Sequence, residues 1–372
     1  MDESVSRRNR LFGLDVARAF AISLVVLAHA HQGSMEIGIY GVELFFALSG
    51  FLIGGILHRC VPAEGTWSFA GVVNFWRRRW WRTLPAYYLF LLLAILFHLS
   101  RGEVPERGWS GVLPYFLFVP NLMSPNEVFF DVSWSLCVEE AFYLLFPLGL
   151  LVVNRATRRR DRSFWIVLAS VVLLSFLLRE VAFAQWPAAQ SRVMTLPRLD
   201  AIAYGVAMAL WTRTRTFPDR HRSGLAVAGG LVVAASVAAH LLSRPLAEAT
   251  GFFRFSLMAM PFGFSLCMPL FASWSSLPIR WEWIRSPVTA ISLWSYSIYL
   301  CHHMILLGVL PWFGEDRESL TEKLLSKGVG LVLVLLVSAL VYRCYESPLT
   351  RRRPPELDRD GASRAPADSP NA

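Results

Sequence analysis

The sequence LFGLDVARAFAISLVVLAHA, residues 11–30, decides the fold class because it is a nearly unbroken apolar run. About 20 apolar residues cross the hydrocarbon core of a bilayer as one α-helix. Two ionisable side chains, Arg18 and His29, interrupt the run. At about 100° and 1.5 Å per residue, they project within about 20° of each other and lie about 16 Å apart along the axis. A charge inside a membrane is expensive, so this stripe is expected to be functional.

Similar apolar runs recur along most of the 372 residues, of which 55% are hydrophobic. This pattern predicts an all-α polytopic membrane protein, with about ten transmembrane helices in one bundle and the lipid bilayer as its surroundings. A shorter apolar segment, 111–123, suits a re-entrant or surface helix. If it spans the membrane instead, the topology after it is inverted. The predicted spans are 11–31, 40–58, 84–100, 134–153, 163–183, 197–212, 223–243, 254–274, 288–311 and 328–345.

The net charge of +9 comes almost wholly from arginine. In a soluble protein this charge would suggest nucleic acid, but here most of the arginines fall in alternate loops, so no nucleic-acid partner is expected. The positive-inside rule then places both termini in the cytoplasm of a multi-pass protein of the inner or plasma membrane. The sequence leaves the oligomeric state open.

Composition divides the chain at one place. Residues 1–350 form one predicted transmembrane domain, and the polar residues 351–372 have too little apolar surface to fold, which predicts a disordered cytoplasmic tail. The loop 61–81 mixes tryptophan with arginine, which is typical of an amphipathic helix lying on the cytoplasmic leaflet. The five cysteines have no CxxC spacing, so neither a disulfide framework nor a metal site is expected.

The polar residues of the predicted spans sort into two layers by depth. A cationic layer near the cytoplasm holds Arg18 and an arginine cluster, and a layer near the outer face holds histidine and carboxylate. This division suits a site that takes a phosphate-bearing anion from the cytosol and performs acid–base chemistry near the far face. The cationic layer contains Asp15, Arg18, Arg77, Arg78, Arg79, Arg82, Tyr345 and Glu346; the outer layer contains His29, Glu43, Glu139, Glu140, Arg198, Asp200, His302 and, as a weaker candidate, His303.

Several of these residues also have a purely structural interpretation, whereas two adjacent carboxylates, Glu139 and Glu140, must include one that faces protein or water. Arg18 is placed to pair with Asp15 at i,i+3, and His29 to bond a backbone carbonyl. The arginines of residues 77–82 suit anionic lipid headgroups. Arg198 and Asp200 suit an interfacial salt bridge.

Seven motifs occur in the order known from one family. The chain resembles the membrane-bound acyltransferase-3 family over about residues 8–350, including its Arg-x10-His signature. Glu43 stands where many members have Asp, and Cys137 and Ala141 replace the commoner Ser and Gln. The matching segments are Leu14-Asp15 with Arg18 and His29, Gly41–Ile53, Arg79-x-x-Arg82-x-x-Pro85, Trp134–Tyr143, Arg198-Leu199-Asp200, Ser295–His302 and Tyr345-Glu346-x-Pro348.

The resemblance implies transfer of an acyl group, most often acetyl, from cytosolic acyl-CoA to a hydroxyl of a cell-surface or exported carbohydrate or small molecule. Lipopolysaccharide, capsule, exopolysaccharide and peptidoglycan all remain open as acceptors. The roles expected from it are donor-phosphate binding by Arg18 with one or more of Arg77, Arg78, Arg79 and Arg82; general-base or acyl-carrier chemistry by His29, oriented by Glu139 or Glu140; and substrate binding by Glu43, Trp134, Arg198, Asp200 and His302.

A proton-coupled transporter or a lipid-linked sugar flippase is the alternative, because buried Arg, Asp, Glu and His also form ion pathways. That class predicts no dependence on acyl-CoA. A polymer-assembly partner that only binds would tolerate loss of His29 and Glu140.

Overall fold

The computed structural model describes residues 11–30, 35–103, 108–125, 129–214, 218–242, 251–275, 282–309 and 320–356, and these contain ten long helices. They are α1 (Phe12–Ala30), α2 (Met35–Cys60), α3 (Phe69–Ser100), α4 (Ser133–Thr157), α5 (Arg160–Gln185), α6 (Leu199–Thr214), α7 (Asp219–Leu242), α8 (Gly251–Phe271), α9 (Glu282–Val309) and α10 (Leu320–Val341).

The predicted all-α membrane fold is confirmed. Nine of the long helices in the described ranges are long and apolar enough to cross a membrane. Large apolar side chains such as Leu231 and Leu340 are 66% and 62% exposed on the outside of the bundle. Exposed apolar surface of this kind suits lipid rather than water.

The sixth predicted span, 197–212, corresponds to α6, which has only 16 residues. At 1.5 Å per residue it is about 24 Å long, shorter than the usual hydrocarbon core. It packs closely on α2, where a Cβ at Gly50 would collide with the carbonyl oxygen of Ile202 and one at Gly205 with that of Ala47. Small residues allow such backbone contact between membrane helices, so α6 is held inside the bundle.

Backbone hydrogen bonds between loops define two ends of the bundle. At one end Gly65 N donates to Arg158 O (3.0 Å), which joins the α2–α3 loop to the α4–α5 loop. At the other end Thr195 N donates to Asn121 O (2.8 Å), which joins the α5–α6 loop to the α3–α4 loop. We call the first the arginine end and the second the histidine end, after the side chains described below.

Helices α1 and α9 run parallel and in register. Arg18 contacts the Ser292 hydroxyl at 3.4 Å, and His29 contacts His302 at 3.4 Å. From the first contact to the second, the chain advances by nearly the same number of residues on α1 and on α9. Arg18 and His29 therefore share one face of α1, as their spacing predicts.

The prediction of a separate surface helix in residues 61–81 was wrong. Helix α3 begins at Phe69, where the Ser68 hydroxyl caps Gly71 N, and continues through the arginine cluster to Ser100. Arg79 therefore lies about 15 Å along a membrane helix. The short segment 111–123 contains only brief helices, Trp109–Val112 and Leu113–Phe116.

The first residues of the predicted tail are not free. Residues 352–356, which we call the strap, lie on the arginine end: Arg78 donates to Pro354 O (2.8 Å) and Asn74 to Pro355 O (3.1 Å). The prediction of disorder for residues 357–372 lies outside the described residues.

Candidate active site

A cavity of about 100 Å³ lies among α1, α2, α3, α4 and α9. Its wall is apolar on the α2 side, with Val42, Phe45 and Leu48. Four charged side chains line it: Arg18, Arg79, Arg82 and Glu139. Hydroxyl groups also reach it, from Ser49, Thr83, Ser135, Ser295, Tyr296 and Tyr299.

The two α4 glutamates face the arginines. Glu139 accepts a hydrogen bond from Ser49 (2.5 Å) and lies 3.8 Å from Arg79, and Glu140 accepts one from Thr83 (2.8 Å). The contacts of these carboxylates are with α2 and α3 and not with His29, so the prediction that either orients its imidazole was wrong. The predicted separation of a cationic layer from a carboxylate layer was also wrong, because arginines on α3 lie against the glutamates of α4.

Arg79 is fixed by its neighbours. Its guanidinium donates to the Tyr143 hydroxyl (2.6 Å) and lies 4.2 Å from the centre of that ring. The Tyr143 hydroxyl donates in turn to Ser49 (3.1 Å), which donates to Glu139. This chain of bonds connects α2, α3 and α4 and gives Arg79 one position at the cavity wall.

Arg18 has both features predicted for it, an ion pair with Asp15 and a position in the site. It lies 3.9 Å from Asp15, and Ser292 donates to the same Asp15 carboxylate at 2.7 Å. The guanidinium also lines the cavity, so the ion pair does not remove it from the site.

The other arginines of α3 differ in where they point. Arg82 lines the cavity, and within the described part of the chain it has no hydrogen-bond or ion-pair partner, only longer-range charges such as Glu346. Arg78 points away to the strap, where it is 3.5 Å from Glu356. Arg77 is exposed and does not line the cavity. Of the five predicted donor-binding arginines, the structure brings together Arg18, Arg79 and Arg82.

Histidines cluster at the histidine end. His29 Nδ1 lies 2.9 Å from Val25 O, and His302 Nδ1 lies 2.8 Å from Tyr299 O. A carbonyl oxygen only accepts, so in the neutral rings both Nδ1 atoms carry the hydrogen. His302 Nε2 is then an acceptor beside His29 Nδ1, at 3.4 Å. His29 Nε2 is left with its lone pair, the state that a general base needs.

Asp131 and His303 complete this cluster. The sequence analysis missed Asp131, and it placed His303 in the outer layer without giving it a role. His303 Nδ1 donates to Asp131 at 2.8 Å, and its ring centre is 5.1 Å from that of His29. Burial alone would raise the pKa of the Asp131 carboxyl, but the hydrogen bond and charge of His303 hold that pKa below its ordinary value. Asp131 stands three residues before Trp134, next to the recognised α4 motif.

Tyr299 lies between the cavity and the histidines. Its hydroxyl is 2.5 Å from that of Ser135, and both residues line the cavity. The same ring has its centre 5.8 Å from that of His302. The cavity and the histidine cluster are therefore neighbouring parts of one site along α9.

The remaining predicted substrate residues form buried ion pairs elsewhere. Arg198 pairs with Glu43, and Asp200 pairs with Arg179 at 2.5 Å. All four side chains are at most 2% exposed and none lines the cavity. The predicted alternative of an Arg198–Asp200 bridge was wrong, since each residue pairs with a different helix. Arg179, inside the apolar span 163–183, carried the signal of an intramembrane charge and was missed.

Trp134 packs its ring on Phe46, a cavity residue, with the ring centres 6.0 Å apart. It does not line the cavity itself. Its contact therefore supports the cavity wall from behind.

Comparison with known proteins matches residues 11–343 to the acyltransferase-3 family, described as an acyltransferase domain. The chain is 32% identical over 183 residues to "Putative peptidoglycan O-acetyltransferase YrhL" of Bacillus subtilis, covering 44% of this chain and 28% of that protein. It is 23% identical over 360 residues to "O-acetyltransferase OatA" of Staphylococcus aureus, covering 91% and 57%. It is 24% identical over 363 residues to "Peptidoglycan O-acetyltransferase OatA" of Listeria monocytogenes, covering 91% and 55%.

The chain thus spans less than two thirds of the length of these curated relatives. The comparison with solved structures gives no significant match.

Proposed function

This chain belongs to the acyltransferase-3 family, and we propose that it is an integral-membrane O-acetyltransferase that moves an acetyl group from acyl-CoA to a carbohydrate hydroxyl. The named relatives favour acetyl as the acyl group and a peptidoglycan-like glycan as the acceptor. The same proposal places the arginine end in the cytoplasm, where acyl-CoA is available, and the histidine end at the outer face of the plasma membrane.

One observation carries the proposal: a histidine whose Nε2 keeps its lone pair and a cavity lined by arginines lie along the same face of α1. His29 has its Nδ1 committed to Val25 O and its Nε2 available. About 16 Å away along the helix, Arg18 lines a cavity with Arg79 and Arg82. An elongated donor with phosphates at one end and a thioester at the other fits this separation.

The chemistry assigned to these residues balances. His29 Nε2 takes the proton of the acceptor hydroxyl while the hydroxyl oxygen forms a bond to the thioester carbonyl carbon. The carbon–sulfur bond breaks, and the CoA thiolate leaves and receives the proton. Transfer through an acetyl-His29 intermediate remains open as a second route with the same products.

The cluster around His29 supports its role as a base. Protonation makes His29 positive, and the charges that act on it are those of His303, which opposes protonation, and of Asp131, which favours it. Asp131 is the carboxylate among them, and it stabilises the charged imidazolium electrostatically. This assigns to Asp131 the role of stabilising charged His29, which the sequence analysis gave to Glu139 or Glu140.

The test is an acetyl-transfer assay with the purified full chain in lipid nanodiscs, using radiolabelled acetyl-CoA and cell-wall glycan. We expect His29→Ala to reduce transfer by about 10²–10⁴-fold, the usual contribution of a general base, with normal expression. His98→Ala is the matched control, because His98 also lies at the histidine end but pairs with Glu103, outside the cluster.

Equal loss in both variants would contradict the role of His29. If the wild type consumes no acyl-CoA of any chain length, the donor assignment fails and the transporter alternative, which neither the family match nor the relatives support, would need a flux assay.

A further inference from the structure

A second, smaller cavity of about 30 Å³ adjoins the first at the arginine end. Ile53, Arg79 and Arg82 line both cavities. An occupant of the first cavity that continues toward the arginine end therefore enters the second. The additional polar wall of the second cavity comes from Cys60, Asn74, Arg78 and Arg353.

The wall of this second cavity is strongly cationic. It contains four arginines and no acidic residue. Burial, and after it the nearby charge of Arg78, lowers the pKa of the Arg353 guanidinium from its ordinary value, against the opposing charge of Glu356. A bound anion would relieve this repulsion.

Arg353 belongs to the strap, which lies beyond the family match at residues 11–343. The strap is held by its backbone, through Arg78 to Pro354 O and Asn74 to Pro355 O. Its one carboxylate, Glu356, sits more loosely, 3.5 Å from Arg78 and 3.8 Å from Arg59. The backbone bonds therefore position Arg353 at the cavity, while Arg352 beside it is exposed.

We propose that the second cavity binds a phosphate group of the acyl-CoA donor and that Arg353 of the strap donates hydrogen bonds to it. The inference rests on the proposed function and extends it to a segment of the chain outside the family match. An arginine fork is well suited to phosphate oxygens. The strap thus closes the donor site at its arginine end.

The test measures the dissociation constant of CoA, and of pantetheine as a phosphate-free probe, for the full chain in nanodiscs of neutral lipid. We expect Arg353→Ala to weaken CoA binding roughly tenfold or more, as loss of a charge-assisted hydrogen bond does, and to leave pantetheine binding unchanged. Arg353→Lys should weaken CoA binding less than Arg353→Ala does. Arg352→Ala is the matched control, being an adjacent exposed arginine of the same strap.

Three outcomes would overturn the inference. Equal CoA affinity in Arg353→Ala and Arg352→Ala would remove Arg353 from the site while leaving the proposed function intact. A wild type that binds neither CoA nor pantetheine would overturn both proposals. If Arg353→Ala keeps its CoA affinity but loses binding of phosphatidylglycerol added to the nanodiscs, the phosphate recognised is that of a lipid headgroup.

Discussion

At the scale of single residues, the partners of a charged side chain distinguish a structural role from a functional one. Glu43 and Arg198 satisfy each other in the interior, whereas Arg82 lines a cavity with no hydrogen-bond or ion-pair partner among the described residues. Burying a guanidinium without a partner is costly, so Arg82 is the arginine whose environment most needs an anionic ligand.

We expect Arg82→Ala to raise the KM for acetyl-CoA at least tenfold, because a charge-assisted contact to phosphate contributes about 1.5–3 kcal/mol. Arg155→Ala is the control, since Arg155 is exposed at the end of α4. Steady-state kinetics with purified protein measure both. An unchanged KM in Arg82→Ala would place the donor phosphates elsewhere.

Asp131 gives a prediction that depends on pH. Its pKa is below the ordinary value in the folded protein because His303 outweighs burial, so its stabilising contribution is present above the unfolded pKa and disappears as pH falls through the folded one. Asp131→Asn should therefore melt at a lower temperature than the wild type at pH 7, and the two melting temperatures should approach each other as pH falls below 3.8, the ordinary pKa of this group.

Thermal unfolding from pH 3 to 7 checks this prediction. Glu103→Gln is the comparison, since the pKa of Glu103 is also lowered, by hydrogen bonds from Arg101 and His98, but at an exposed site. The melting temperature of Glu103→Gln should differ much less from that of the wild type, because water screens the charge of an exposed carboxylate. A melting-temperature difference between Asp131→Asn and the wild type that stays constant at all pH values would contradict the ion pair of Asp131 with His303.

At the scale of helices, close packing keeps the short α6 in the bundle. Gly50 on α2 meets the backbone of α6 directly. We expect Gly50→Ala to cost about 1–3 kcal/mol of stability through overpacking, seen as a lower melting temperature. Gly230→Ala on α7 is the matched control: its Cβ would meet open space, so it should leave stability unchanged or raise it slightly. Equal changes in melting temperature for Gly50→Ala and Gly230→Ala would show that α2 and α6 are not closely packed.

The start of α3 explains the main error in the sequence analysis. Trp76 and Arg79 look like interfacial residues in the sequence because arginine and tryptophan favour the membrane surface. In the fold, Trp76 Nε1 donates to Tyr143 O (3.0 Å), and Arg79 bonds the Tyr143 hydroxyl. These partners on α4 satisfy the polar groups inside the bundle, so the helix continues where composition alone predicts a surface segment.

At the scale of the whole molecule, the two ends of the bundle should face opposite sides of the membrane. A cysteine at position 64 lies at the arginine end and one at position 103 at the histidine end. In a Cys344→Ser background, chosen because Cys344 is the exposed thiol, Glu103→Cys should react with a membrane-impermeant maleimide in intact cells. Glu64→Cys should react only after permeabilisation. The reverse pattern would invert the proposed orientation.

The sequence by itself determined the membrane class, the approximate positions of most helices and much of the chemical inventory of the site. Those properties are local: a run of about 20 apolar residues suffices for a span, and the eleven-residue step from Arg18 to His29 fixes their common face on one helix. The tertiary structure alone decided which polar groups meet. Asp131 with His303 and Glu139 with Arg79 join residues distant in the chain, and such contacts depend on how whole helices pack, which no local pattern specifies.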